Sequence, residues 1–303
     1  MKKVLITGAG DLATRFLTLL LTNGYIGDLT LLCRDKNPRP QVNLALYAAS
    51  EVLGEIPRVK TIYHDLDNTD EFVEFLEKDR PEVIINFSTK YPYKKIETLL
   101  DGHKRRLHSA GIGVLLPFHF VLANNICRAI NMADLSVDFI NVAYPDAINH
   151  LLPEMPKSRI LGSGNIGNNI PAFRFSVAEM LGAQIDEVEV RLVMHHAVSH
   201  RIYKGEVEND APFLFQALIG GDDVTSIVNM NELFSLLSTK YRRPSGGVGK
   251  NMAAAMTINV LKAILTQEEK TLHVAGPSSL IGGYPMKVSS EILEPVLPDN
   301  ISI

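Results

Sequence analysis

The segment Thr7-Gly8-Ala9-Gly10-Asp11-Leu12-Ala13 carries two glycines and an alanine in a GxGxxA arrangement. It follows a short apolar run and opens an amphipathic stretch, which is the setting of a strand, a turn and a helix. There the first glycine permits a tight turn, the second lets a pyrophosphate approach the backbone, and the small third residue brings helix and strand together. The helix N-terminus then offers N–H groups to the anion. The spacing predicts a dinucleotide site at Gly8, Gly10, Asp11, Leu12 and Ala13.

The alternative interpretation is a glycine-rich turn that binds nothing. If a dinucleotide binds, its identity depends on the residues that end the second predicted strand, where NAD sites carry an acidic residue for the ribose hydroxyls. The chain has Cys33-Arg34-Asp35 there. An uncharged Cys33 does not repel a 2′-phosphate, and Arg34 has several donors for one. The sequence therefore favours NADP, and NAD remains the alternative if Asp35 receives the ribose.

These residues require a particular order of elements to position them. Short β-rich runs at 3–7, 29–33, 60–63 and 83–87 alternate with amphipathic stretches at about 11–23, 41–53 and 69–78. Parallel strands need such crossover helices. The pattern predicts an α/β fold, a Rossmann-type doubly wound parallel sheet continued by a helix at about 116–131 and a strand at 137–142.

The second half follows a different pattern, which predicts an α+β domain. Helices are expected at about 168–181, 212–218, 230–238 and 249–265, and strands at 187–194 and 197–203. We expect the chain to leave the sheet near Pro145-Asp146, which gives a dinucleotide-binding domain over 1–146 and a substrate domain over 147–303.

Composition narrows the classes of function. The chain has 303 residues, 46% of them hydrophobic, and a formal net charge of −4, which argues against disorder and against a nucleic-acid partner. Its two cysteines form neither a disulfide framework nor a zinc motif, so a reducing cytoplasm is expected. Neither a secretory leader nor a membrane-spanning segment is expected from the sequence.

Several segments together resemble the lactate/malate dehydrogenase superfamily. They are Arg159-Ile160-Leu161-Gly162-Ser163-Gly164, the run from Phe173 to Gly182, the run from Val190 to His196, the run from Phe139 to Ala147, and the run from Ile281 to Lys287. Their order and spacing are similar to those of the family across nearly the whole chain. The resemblance implies a dehydrogenase that works as a homodimer or homotetramer.

The resemblance also implies roles for individual residues. His196 aligns with the family histidine that exchanges a proton with the substrate while hydride moves to or from the nicotinamide. The aspartate that orients this histidine falls on Asn169 or its neighbour Asn168. The arginine that binds the substrate carboxylate falls on Ala172 or its neighbours Ile170 and Pro171, none of which carries charge. The asparagine before the turn proline is Tyr144. These departures imply an altered substrate or a loss of catalysis.

A basic segment follows the fourth predicted strand, where the family has a mobile loop with an arginine. Arg105 or Arg106 is expected to replace the missing arginines there, and a solvated helix face is the alternative. Tyr91 and Lys95 have the Tyr-x-x-x-Lys spacing of short-chain dehydrogenases, but they directly follow the fourth strand rather than lying on a later helix. No metal site is expected from the histidines.

The sequence therefore predicts an NAD(P)-dependent oxidoreductase that acts on an atypical hydroxy or keto compound, a small-molecule substrate. His196 is its acid/base, with Asn169 beside it. Two alternatives stay open. One is a non-catalytic dinucleotide-binding homologue that acts as a sensor or scaffold, and the other is a reductase that resembles the extended short-chain dehydrogenases.

Overall fold

A computed structural model describes residues 2–25, 27–92, 95, 98–109, 112–202, 213–244 and 246–298. Eight of these are described by their backbone alone: Arg39, His108, Ile112, His196, Ser199, His200, Gly246 and Ser279. The chain divides into two compact units, Met1–Leu161 and Gly162–Ile303. The first unit extends beyond the predicted boundary at residue 146, because a further strand after that residue joins its sheet.

The first unit is built on a six-stranded sheet with the order β3-β2-β1-β4-β5-β6. The pairings of β1 with β2 and β4, of β2 with β3, and of β4 with β5 are parallel. The strands are β1 (Val4–Thr7), β2 (Leu29–Cys33), β3 (Lys60–Tyr63), β4 (Val83–Asn86), β5 (Asp138–Asn141) and β6 (Arg159–Gly162). Strands β1, β2, β4 and β5 are buried along their whole length, as expected of a parallel sheet covered on both faces. The predicted α/β doubly wound sheet is confirmed.

Helices connect these strands and cover the sheet. They are α1 (Asp11–Thr22), α2 (Arg39–Leu53), α3 (Thr69–Asp79), α4 (Asp101–Ser109), α5 (Leu116–Met132) and α6 (Pro145–Ile148). Helix α1 buries Ala13, Phe16, Leu17, Leu20 and Leu21, whose spacing places them on one face. The strand order reverses between β1 and β4, and ligands of such sheets bind beyond the carboxyl ends of the strands at this switch point.

One described helical stretch, Gly113–Met132, has the length and apolar composition that a bilayer span would need. Within it, α5 buries Leu122, Ala123, Ile126, Cys127 and Ile130 in the core of the first unit. A buried core helix of a globular domain can have the same length and composition. These two properties alone therefore do not assign this helix to a membrane.

The second unit has two three-stranded sheets. One contains β7 (Val188–Val193), β8 (Leu214–Ile219) and β9 (Asp222–Asp223), and the other contains β10 (Lys270–Ala275), β11 (Gly283–Val288) and β12 (Leu293–Pro295). An antiparallel bridge between Met194 and Gly283 joins them. The helices are α7 (Ile170–Leu181), α8 (His196–Ile202), α9 (Met230–Ser238) and α10 (Gly246–Ile264). The expected α+β character is confirmed.

Two element predictions in this unit are wrong. The predicted strand at 197–203 falls on helix α8, and the predicted helix at 212–218 falls on strand β8. Both segments are short, and the few apolar side chains in each fit either period. Strand β8 forms because it pairs antiparallel with all six residues of β7, from Val188↔Ile219 to Val193↔Leu214, and such tertiary pairing overrides local preference.

Candidate functional site

The turn after β1 has the geometry that the sequence predicts. Gly8 has φ +92°, and its N–H donates to the carbonyl of Leu32 at 2.8 Å, which fixes the turn to strand β2. A Cβ at Gly8 would lie 3.0 Å from the backbone nitrogen of Ser88 and 3.1 Å from its Cα. Both the positive φ and this close approach therefore require glycine here.

The second glycine has a different role. Gly10 is the N-cap of α1 with φ −76°, which any residue adopts, and a Cβ there would meet nothing within 4 Å. Because a glycine stands at the N-cap, no side chain from that position caps the first turn of this helix. Ala13 is 2% exposed against the core. Gly10 thus leaves open space beside a helix N-terminus, which is what a pyrophosphate needs.

The other two residues of the predicted turn lie in the first turn of α1. Asp11 is exposed and its carboxylate pairs with Nε of Arg15 at 2.9 Å, so part of its charge is balanced within the helix. Leu12 is partly buried.

The end of β2 carries the residues expected to choose between NAD and NADP. The buried Cys33 thiol donates to the carbonyl of Asp35 at 3.2 Å, and burial, with the Asp35 charge, raises its pKa. The Asp35 carboxylate accepts from the backbone N–H of Asn37 at 2.9 Å. Arg34 is exposed, and its neighbour Lys36 lies over the ring of Tyr63 at 5.3 Å. The end of β2 thus presents two cations, Arg34 and Lys36, beside the carboxylate of Asp35.

Sequence reasoning missed a row of buried polar side chains at the carboxyl ends of the central strands. Thr7, Asn86 and Asn141 end β1, β4 and β5 in register, and all three are fully buried. Thr7 Oγ1 donates to Asn86 Oδ1 at 2.9 Å, and Asn86 Nδ2 donates to Asn141 Oδ1 at 3.1 Å. Asn141 Nδ2 donates to Oδ1 of Asn149 at 2.8 Å. The available signal was a polar residue at the end of two apolar strands.

Tyr144 lies directly after this row. It has φ +50° and ψ +50°, an uncommon conformation for a residue with a side chain, and it precedes α6. Its ring meets the ring of His119 edge to face, with centroids 4.6 Å apart. Burial lowers the pKa of His119 to about 4, so this histidine is neutral near pH 7. Residues held in such strained conformations cluster at functional sites.

The basic helix α4 carries the two candidate replacement arginines. Arg105 and Arg106 are exposed on it. Among the described residues, Lys95 lies over the Tyr91 ring at 5.7 Å, and the carboxylate of Asp67 pairs with the amine of Lys90. The role of Arg105 or Arg106 as replacement arginines stays a prediction.

In the second unit, Asn169 and Ala172 lie on one helix and its cap. Asn169 is the N-cap of α7, 5% exposed, and its Nδ2 donates to the carbonyl of Asn165 at 3.4 Å. Ala172 packs against the core of this unit. Arg174 donates from Nε to Val188 O and from its Nη2 to Ile185 O, both at 2.7 Å. Its guanidinium therefore holds the turn before β7 with two of its donors.

His196 is the first residue of α8, just beyond the end of β7, and its side chain lies outside the described part of the structure. Its neighbour His195 is exposed and accepts from the backbone N–H of Ala197 at Nδ1, 3.2 Å away. His195 also lines an open groove of about 360 Å³ together with Val193, Met194, Phe213, Leu214 and Ile281.

The glycine turn, the uncapped α1 terminus and the position at the switch point fit a dinucleotide. Among the described residues, no group of three His, Cys, Asp or Glu side chains could hold a metal ion.

Solved structures with a similar fold include malate and lactate dehydrogenases. Malate dehydrogenase from Cryptosporidium parvum is 14% identical with a TM-score of 0.63, over 99% of this chain and 92% of that one. Malate dehydrogenase from Plasmodium falciparum is 16% identical with a TM-score of 0.63, over 98% of this chain and 91% of that one. Lactate dehydrogenase from Eimeria maxima, solved with NADH and oxamate, is 14% identical with a TM-score of 0.65, over 99% of this chain and 87% of that one. The chain therefore has the fold of the malate and lactate dehydrogenases.

Comparison by sequence adds nothing to this. No protein-family model matches the chain, and no curated protein matches it. The likeness to malate and lactate dehydrogenases consequently concerns the fold, and the chemistry of the site depends on the residues described above.

Proposed function

We propose that this protein is an NAD(P)-dependent oxidoreductase that transfers hydride between the nicotinamide and a hydroxy or keto compound. The observation that carries the proposal is the turn from Gly8 to Gly10, which needs glycine at its first position and leaves open space beside an uncapped helix at its second. The turn lies at the switch point of a sheet whose fold is that of malate and lactate dehydrogenases.

In this proposal the first-turn N–H groups of α1 hold the pyrophosphate, and the helix dipole adds to the attraction. Asp11 would oppose an anion there, but its ion pair with Arg15 at 2.9 Å reduces that effect. The nicotinamide, when bound, donates or accepts the hydride. The chain's own task is to orient the substrate and to move the accompanying proton.

His196 is the proposed donor and acceptor of that proton, supported by its alignment with the histidine of the family resemblance. Asn169 is the proposed orienting residue. Its amide oxygen can accept from an imidazole N–H, but it lacks the negative charge that stabilises an imidazolium. We expect proton transfer to be slower than with an aspartate at this position.

The substrate class follows from a missing cation. Ala172 packs on the core where the resemblance expects an arginine, and the guanidinium of Arg174 is held by two backbone carbonyls. A 2-hydroxy carboxylate needs a guanidinium for bidentate binding, and α7 does not supply one. We therefore propose a hydroxy or keto compound that lacks this carboxylate.

NADP is the proposed coenzyme, with NAD as the alternative. Cys33, the last residue of β2, is uncharged at neutral pH because burial raises the pKa of its thiol. Arg34 is exposed beside it. A guanidinium at this edge suits a 2′-phosphate. If NAD binds instead, the carboxylate of Asp35, which accepts from the backbone N–H of Asn37, would also accept from the ribose hydroxyls.

Assembly and location are also proposals. Helix α2 and the segment after it expose Leu44, Tyr47, Val52 and Ile56, each at least 59% exposed, and an apolar surface of this kind suits a homodimer or homotetramer. The partner is a small-molecule substrate, not a nucleic acid or a membrane, and the location is the cytoplasm. The net charge of −4 supports the proposal on nucleic acids, and the cysteine usage supports the proposed location.

A turnover screen tests the proposed chemistry. Oxidation of NADPH or NADH is followed with carbonyl compounds that lack a 2-keto carboxylate, in wild type, His196→Ala and Asn169→Asp. We expect turnover in wild type, loss of at least about 100-fold in His196→Ala, and a faster rate in Asn169→Asp. Fast turnover of pyruvate or oxaloacetate would contradict the proposed substrate class, and full activity of His196→Ala would contradict its role.

A second candidate function is a dinucleotide-binding sensor or scaffold without turnover. Ala172 and Asn169 favour it, because both replace charged residues that the family resemblance assigns to substrate binding and catalysis. Tight dinucleotide binding without turnover, in every pool and also in Asn169→Asp, would support this function over the first.

A further inference from the structure

The buried row formed by Thr7, Asn86, Asn141 and Asn149, hereafter the amide row, crosses the switch point of the sheet. It joins β1 to β4 and β5 and then to the short helical turn Asn149–Leu151. Thr7, Asn86, Asn141 and Asn149 are each 0% exposed. Side chains in such positions are usually apolar, so a continuous polar row needs a reason beyond packing.

The backbone fixes the orientation of the Asn86 and Asn141 amides. Asn86 Oδ1 accepts from the N–H of Ser88 at 2.9 Å, and Asn141 Oδ1 accepts from the N–H of Ala143 at 3.1 Å. Because a backbone N–H only donates, these atoms must be the oxygens. Each NH2 group is then left to donate along the row, which makes every link directional.

Each amide also holds the loop that follows its own strand. Asn86 Oδ1 accepts from the Ser88 hydroxyl at 2.5 Å as well as from its N–H. Asn141 contacts both backbone groups of Ala143, since Nδ2 donates to the carbonyl at 3.3 Å. The two loops are therefore fixed through the same row of side chains.

Each loop adjoins a residue of the proposed site in the first unit. Ser88 is the residue whose backbone nitrogen lies 3.0 Å from the Cβ position of Gly8, so it supports the glycine turn. Ala143 immediately precedes Tyr144, whose φ of +50° must be maintained by its surroundings. The amide row thus connects the glycine turn to the turn that carries Tyr144.

We infer that Asn141 is a positioning residue for this site, an inference that rests on the proposed function. Its two contacts with Ala143 hold Tyr144 in its strained turn, and its link to Asn86 sets that turn in register with the dinucleotide turn. When a dinucleotide orders the loop at Ser88, the amide row transmits this restraint to the residues around Tyr144.

Hydrogen exchange read by mass spectrometry tests this without requiring turnover. Exchange is measured with and without NADPH in two peptides, one covering 86–90 and one covering 141–149. In wild type we expect bound NADPH to slow exchange in both peptides. Asn141→Asp keeps the accepting oxygen but loses the N–H donor to Asn149 and Ala143. In this variant we expect NADPH to slow exchange in peptide 86–90 but no longer in peptide 141–149.

A matched control is Asn131→Asp, since Asn131 also donates from Nδ2, to the carbonyl of Glu154 at 2.8 Å, but at the exposed end of α5. It should behave like wild type. If Asn141→Asp does not fold, Asn149→Ala removes the acceptor of the bond from Asn141 Nδ2, and the slowing of exchange at 141–149 should then be weaker than in wild type. The isosteric Thr7→Val removes only the first link and should leave the response of the second peptide largely intact, because Asn86 keeps both bonds from Ser88.

Two outcomes would overturn the inference. One is slowing of exchange at 141–149 in Asn141→Asp as strong as in wild type. The other is NADPH binding in wild type without any slowing at 141–149. Failure of wild type to bind either dinucleotide is a different result, which would remove the proposed function itself. If a substrate is found, Asn141→Asp should lower kcat by roughly 10- to 100-fold with a smaller change in the KM for the coenzyme.

Discussion

The backbone N–H of Leu192 donates to Nε2 of His273 over 3.1 Å, and this histidine is 6% exposed. Because Nε2 accepts, the ring is neutral with its proton on Nδ1. Burial lowers the pKa of His273 to about 3. The bond joins β7 to β10 and so supports the strand that leads to His195 and His196.

This pKa makes stability depend on pH. Below the unfolded pKa of about 6.5 the unfolded chain takes up a proton at this position and the folded chain does not, until the pH approaches about 3. The free energy of unfolding should therefore fall by a few kcal/mol as the pH falls through this window. Urea titrations at several pH values measure it.

The variant His273→Gln tests the assignment, because its amide oxygen can still accept from Leu192 but does not titrate. Its stability should depend less on pH than that of wild type. Some dependence will remain, since the pKa of His119 is also lowered, to about 4. An unchanged pH dependence in His273→Gln would show that this histidine is not the acid-sensitive group.

Arg174 is expected to stabilise the second unit without taking part in binding. Its guanidinium donates to the carbonyls of Val188 and Ile185, both at 2.7 Å. Hydrogen bonds from charged groups are worth about 1.5–3 kcal/mol each, so Arg174→Met should lower the free energy of unfolding by several kcal/mol. Arg191→Met is the control, since its partner Glu189 is exposed and the loss should stay below about 1 kcal/mol. Loss of coenzyme affinity in a folded Arg174→Met protein would contradict this role.

Arg34 is expected to decide the preference for NADPH. The side chain is exposed at the end of β2, where a 2′-phosphate is proposed to bind. Arg34→Ala should weaken NADPH binding by on the order of 10- to 100-fold and change NADH binding little, because only NADPH loses a charge-assisted hydrogen bond. Competitive fluorescence titrations measure both. Equal losses for the two coenzymes would mean that Arg34 contacts a part that they share.

The two cysteines should be unreactive in the folded protein. Burial raises the pKa of both thiols, and at Cys33 the charge of Asp35 adds to the effect. Since the thiolate is the reactive form, alkylation by iodoacetamide at neutral pH should be slow and should become complete after denaturation. Rapid modification of Cys33 in the native state would show that the end of β2 is more open than the structure indicates.

Much of the first unit was predictable from sequence because its signals are local. The apolar strands, the helix period and the glycine spacing lie within short windows, and β1, β2, β3 and α1 form where they were expected. The amide row was not predictable, since Asn86 and Asn141 are 55 positions apart and only the sheet brings them together. The same is true of His273 and Leu192, which are 81 positions apart.

The two wrong elements have a related cause. Segments 197–203 and 212–218 are too short for periodicity to separate helix from strand. Pairing with β7 determines the second of them, and that pairing is a tertiary property. The predicted roles of His196, Asn169, Arg105 and Arg106 depend on the family resemblance and stay predictions.

The most direct measurement is a fluorescence titration of NADPH and NADH into wild type and Gly10→Val. A Cβ at Gly10 meets nothing within 4 Å and its φ is −76°, so the substitution should change the free energy of unfolding by no more than about 1 kcal/mol. The control is Gly102→Val, on the exposed helix α4, where a Cβ also meets nothing. We expect wild type and Gly102→Val to bind, with NADPH preferred, and Gly10→Val to lose binding while remaining folded. Wild-type protein that binds neither coenzyme, or Gly10→Val that binds as tightly as wild type, would contradict a dinucleotide at this turn.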